Sequence, residues 1–138
     1  MSIPWRTRRG VGRLAHIPLE TQEQAALFEW AYLKQKQIPE LALLFAIPGQ
    51  GVARLKRLQL EGYQKGVPDM FLAVMVDTGP ESQCGGLFIE LKRTKGGKVS
   101  PEQYEWMGKL EAQGYRCVIA RGAAEARKEI LAYLGEKE

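Results

Sequence analysis

A chain of 138 residues, with 45% hydrophobic and 26% charged residues, has the size and composition of one soluble globular domain. No apolar run approaches the roughly 20 residues of a membrane helix, and the opening residues lack the apolar core of a signal peptide, so a cytoplasmic protein is expected. Cys84 and Cys117 lack CxxC spacing and His16 is the only histidine, which excludes a disulfide framework, a zinc site and a histidine-based triad.

The net charge of +4 is unevenly placed. The first 65 residues carry ten Lys/Arg against five acids, and the remainder carries ten against eleven. The opening stretch MSIPWRTRRGVGRLAH, residues 1–16, holds four Arg and no acid and reads as a basic arm preceding a single domain over 17–138. Such an arm reads first as a solvated, flexible segment, and it can also contact phosphates, with Trp5 available for stacking.

In chain order, Thr21 to Gln37 reads as a helix ending before Pro39. Leu41 to Ile47 is an apolar run of strand length, stopped by Pro48 and Gly49. Val52 to Gly62 reads as a short basic helix, Met70 to Val76 as a second apolar strand, and Asp77 to Gly86 as a hairpin loop. Leu87 to Lys92 is the third strand. Ser100-Pro101-Glu102-Gln103 is a helix start, with Ser at the N-cap, Pro at the first helical position and Gln at the capping-box position. That helix is expected to run to Gln113, followed by a strand over Tyr115 to Ala120 and a helix over Ala123 to Leu134. The order αβαββαβα predicts an α/β fold with a central mixed sheet flanked by helices.

The chemistry concentrates on two segments, GVPDMFLAVMV and GLFIELKRTKGGK. Residues two apart on a strand share a face, so Glu90 and Lys92 point the same way, and an antiparallel hairpin brings Asp69 beside them. Two carboxylates that close repel unless a proton or cation lies between them, and oxygen donors suit hard cations such as Mg²⁺ or Mn²⁺. Glu23 stands on one helical stripe with Ala26, Leu27 and Trp30, which makes it a candidate third acid or a solvated residue favouring the helix dipole. A dinucleotide-binding reading of PGQGVARL fails, because Arg54 occupies the third glycine position and Asp69 begins its strand instead of ending one.

The combination of GVPD, the E-x-K of the next strand, the preceding helix acid and the SPEQ helix resembles the VRR-Nuc group of the PD-(D/E)XK nucleases. That resemblance implies a restriction-endonuclease-like core and metal-dependent hydrolysis of DNA phosphodiester bonds. Asp69, Glu90, Lys92 and Gln103 would be catalytic, and Glu23, Asp69, Glu90 and the Leu91 carbonyl would hold Mg²⁺ or Mn²⁺. Arg54, Lys65, Arg93, Lys95 and Lys98 would contact DNA. A bare domain of this group is expected to act as a homodimer on branched DNA such as a four-way junction. The alternatives are a flap or duplex nuclease of the same fold and a non-catalytic DNA-binding module.

Overall fold

The structure, a computed structural model, describes residues 17–48 and 59–137. In chain order these form helix α1 (Glu20–Lys34), a 3₁₀ turn (Pro39–Leu43), strands β1 (Leu44–Ala46), β2 (Met70–Leu72), β3 (Val76–Gly79), β4 (Ser82–Cys84) and β5 (Leu87–Lys92), helix α2 (Pro101–Ala112), strand β6 (Arg116–Arg121) and helix α3 (Ala123–Leu134). Four strands make one sheet in the order β1-β2-β5-β6. The β1–β2 and β2–β5 pairs are antiparallel and β5–β6 is parallel, with α2 as the crossover. The expected mixed sheet flanked by helices is therefore the observed architecture.

Alternation along β5 decides the layering. Leu87, Ile89 and Leu91 are fully or almost fully buried and join the core built with Leu27 and Ala31 of α1 and Ala126 and Ile130 of α3. Burying each such aliphatic side chain contributes about 1.5–3 kcal/mol. The intervening Phe88, Glu90 and Lys92 occupy the opposite face. There Phe88 stacks on Phe71 at 4.2 Å between ring centroids, and Tyr115 meets both rings edge-on. Toward its end the same face becomes charged and is closed by α2.

Three expected elements differ. The run Leu41–Ile47 does not extend as one strand: Pro39 starts a 3₁₀ turn that occupies the chain to Leu43, leaving β1 three residues long. The second strand ends at Leu72, because the chain bends at Ala73–Met75, where the Val74 carbonyl accepts from the Tyr133 hydroxyl at 2.6 Å. The segment expected as a hairpin loop carries paired strands of its own, β3 and β4, closed by Glu81 at φ 63°. The helix expected over Val52–Gly62 lies mostly outside the described residues. Its last four residues are described: Gln59 and Leu60 are helical, and Glu61 and Gly62 form a turn.

Candidate active site

Sheet register assembles the site. Met70 pairs with Ile89, which sets Asp69 beside Glu90 at the edge of the β2–β5 ladder. The Asp69 backbone is held from one side, where the Ile47 amide donates to its carbonyl at 2.7 Å. Its side chain is held from the other, where the Leu91 amide donates to Oδ2 at 2.7 Å. A carboxylate fixed at both ends of its residue has little rotamer freedom left, which is what an ion-binding or catalytic group needs.

Glu90 is 1% exposed and Lys92 is 7% exposed. Lys92 Nζ lies 3.3 Å from Glu90 Oε2, and Gln103 Nε2 donates to the same oxygen at 2.8 Å. Gln103 also completes the α2 cap: its Oε1 accepts from the Ser100 amide at 2.8 Å, and Ser100 Oγ accepts from the Gln103 amide at 3.2 Å. One side chain thus caps the start of the helix and reaches into the site, orienting Glu90. The second oxygen of Glu90, Oε1, is buried and has no hydrogen-bond partner. An uncompensated buried carboxylate oxygen costs on the order of several kcal/mol unless a proton or cation satisfies it.

A third acid completes the cluster. Carboxylate oxygens of Glu20, Asp69 and Glu90 lie within 4.8 Å of one another. The sequence pointed to Glu23 for this role, but Glu23 Oε2 accepts from the Ala123 amide at 3.2 Å and caps α3. The buried line of α1 runs through Leu27 and Ala31, while Ala26 faces solvent. Extended back two turns, that line meets Glu20. Three carboxylates with one orphaned buried oxygen fit a hard divalent ion, which prefers oxygen donors.

Burial pushes both central acids up. Asp69 rises mainly by desolvation, opposed by the Leu91 amide, Glu90 and Lys92. Glu90 is pushed up to about 8, first by desolvation and then by the Asp69 charge, with Lys92 opposing. The folded chain therefore holds a proton on Glu90 that the unfolded chain, with a carboxyl near 4.5, releases. Glu90's contribution to metal-free stability is complete below about pH 4.5 and is lost as pH rises toward 8, at no more than about 1.4 kcal/mol per pH unit. Thermal denaturation in EDTA should show this decline, and added Mg²⁺ should stabilise more at pH 8 than at pH 6. A metal-free melting temperature that climbs across that window would count against the proton on Glu90.

The basic candidates divide. Lys65 pairs with Glu102 at 3.6 Å, and Arg93 donates to the carbonyls of Ile17 and Pro18 at 3.0 and 3.3 Å. Lys95 and Lys98 are exposed on the Gly-rich segment after β5. Arg54 lies outside the described residues. A residue the sequence reading missed is Arg121, at the end of β6 in register with Lys92. Its guanidinium donates to the carbonyls of Arg93, Gly96 and Gly97. No local sequence signal marks it; the parallel register does.

Substitution separates the two α1 acids. Glu20→Gln should weaken stabilisation by divalent ions while leaving the metal-free fold nearly unchanged. Glu23→Gln should cost about 1 kcal/mol of stability as a weakened cap and leave ion binding intact. Calorimetric Mn²⁺ titration with thermal melts of both variants checks this, and the opposite pattern would restore Glu23 to the cluster.

Comparison with known proteins agrees with the geometry. A sequence search of curated proteins found no match. A solved structure described as a VRR_NUC domain protein superposes with a TM-score of 0.72 at 21% identity, covering 87% of this chain and 91% of the other. That likeness establishes the fold. Among the described residues no helix is long and apolar enough to cross a membrane. The VRR-NUC domain family matches the sequence over residues 13–124, a span containing Glu20, Asp69, Glu90, Lys92 and Gln103, and the chain therefore belongs to that family of PD-(D/E)XK-type nucleases.

Proposed function

We propose that this protein is a divalent-metal-dependent, structure-specific endodeoxyribonuclease that cuts four-way junctions as a homodimer in the cytoplasm. The observation that carries the catalytic part is the buried Asp69–Glu90–Lys92 constellation, with its orphaned Glu90 Oε1, inside a nuclease-family domain. Glu20, Asp69, Glu90 and the Leu91 carbonyl would hold Mg²⁺ or Mn²⁺. When bound, such an ion acidifies a water and offsets charge on the phosphate. Gln103 occupies Glu90 Oε2 and so leaves Oε1 for the ion. The Leu91 amide likewise occupies Asp69 Oδ2 and fixes the carboxylate plane. Lys92, held by Glu90, places a fixed positive charge where the phosphorane gains negative charge, in a site that largely excludes water.

The junction assignment rests on symmetry: two copies of one domain present two equivalent sites to the paired strands of a junction. The free, half-buried Cys84 and Cys117 fit a reducing compartment.

The test is cleavage of labelled four-way junction, flap and linear duplex DNA in Mg²⁺, Mn²⁺ or EDTA by wild type and Lys92→Ala. Paired symmetric incisions on the junction are expected, abolished by EDTA and reduced about 10²-fold by the substitution. Cutting of flap or duplex alone would keep the chemistry and remove the junction assignment. Binding without cutting under every ion would leave a DNA-binding module.

A further inference from the structure

The segment that follows β5 has an organisation that hydrolysis alone does not require. Gly96 and Gly97 both adopt positive φ, 76° and 67°, so two successive residues take a left-handed backbone. The Arg121 guanidinium gathers three carbonyls around itself, those of Gly96 at 2.6 Å, Gly97 at 3.2 Å and Arg93 at 3.3 Å. In a trans peptide the carbonyl of one residue and the N–H of the next point in opposite directions. Turning these three carbonyls onto Arg121 therefore turns the amides of Gly97, Lys98 and Thr94 away from it. Among the described residues none of the three amides has an acceptor, and the segment from Thr94 to Lys98 is exposed. Lys95 and Lys98 flank them without an ion pair among the described residues. The loop also lies against the site: a Cβ on Gly97 would stand 3.7 Å from Lys92 Cδ.

We propose that Thr94–Lys98 is a preformed cradle for a DNA backbone phosphate next to the scissile one, with Arg121 as its positioning residue. Backbone amides left without acceptors on an exposed turn can receive an anion, and flanking ammonium groups add attraction without reading sequence. Arg121 does not touch the phosphate. Its forked donor geometry matches several carbonyls at once, which a lysine cannot do. The cradle would deepen the nuclease reading, on which it rests, by fixing where the strand lies relative to Lys92.

The experiment follows the amide resonances of the isotope-labelled full chain in EDTA while a short DNA duplex is added. Saturable downfield shifts of the Gly97, Lys98 and Thr94 amides are expected. Arg121→Gln should remove those shifts, weaken binding about tenfold and raise KM with little change in kcat. The wild-type titration decides by itself should that variant unfold, and Arg121→Lys, which keeps the charge without the fork, should behave like Arg121→Gln. Cleavage in Mg²⁺ is recorded on the same preparation. Cleavage without amide shifts overturns the cradle and leaves the nuclease reading. Amide shifts without cleavage keep the cradle and remove the nuclease reading, and absence of both overturns the two together.

Discussion

Asp69→Asn is expected to abolish cleavage and at the same time leave the metal-free fold as stable as wild type or more so. The two effects share one cause. In wild type, Asp69 and Glu90 are neighbouring acids both pushed up by burial, and the Asp69 charge raises Glu90 further. An amide at position 69 keeps the oxygen that accepts from the Leu91 amide and removes the like charge beside Glu90. Relief of that repulsion is worth on the order of 1 kcal/mol. The catalytic loss is larger: a missing ligand forfeits several kcal/mol of transition-state charge stabilisation, a fall in kcat of at least about 10³-fold. Stabilisation by Mg²⁺ should vanish with it. Melting in EDTA and in Mg²⁺ beside a cleavage assay reads all three. A variant that cuts within tenfold of wild type would remove Asp69 from the machinery.

The second large effect concerns the turn that aims Asp69. Gly66 is buried at φ 95°, and a Cβ there would lie 2.8 Å from the Glu102 carbonyl carbon and 2.9 Å from its oxygen. Gly66→Ala therefore meets two penalties. A left-handed conformation costs an L-residue about 1–2 kcal/mol, and the backbone of α2 must retreat as well. Together the loss is expected to reach about 3 kcal/mol or more, a large share of the 5–15 kcal/mol that holds a typical domain. Because Glu102 adjoins Gln103, a displaced α2 would also draw Gln103 away from Glu90. Denaturant titration should show the loss with an unchanged slope, and a change below about 1 kcal/mol would mean that the helix start yields freely.

Where several sequence signals coincided, the fold was legible in the chain. β5 and α3 lie where alternation and helical periodicity placed them, and the Ser100 cap forms as SPEQ predicts. The run LALLFAI misled because a continuous apolar stretch does not distinguish strand from turn, and Pro39 decided the matter locally. β2 was overextended because its end is fixed by Tyr133, a partner 59 positions away that no window around Val74 contains. The same limit governed the site. Asp69, Glu90 and Lys92 were readable because a hairpin register is short-range. The choice between Glu20 and Glu23 depended on which face of α1 turns inward, and Trp30, half-buried over Arg127, drew the stripe to the wrong side. Arg121 became visible only through the parallel β5–β6 pairing across the crossover.

The β3–β4 hairpin springs from the ends of β2 and β5 that lie farthest along the sheet from Asp69 and Glu90. Its tip is exposed and is closed by its own contacts, Thr78 Oγ1 to Ser82 Oγ at 2.6 Å and Gln83 Nε2 to Asp77 Oδ1 at 3.2 Å. Added chain at such a tip costs little, because loop entropy grows slowly with length. The molecule thus carries an attachment point for a dye, a surface tether or a fused recognition module, at the far pole from the strand it is proposed to cut.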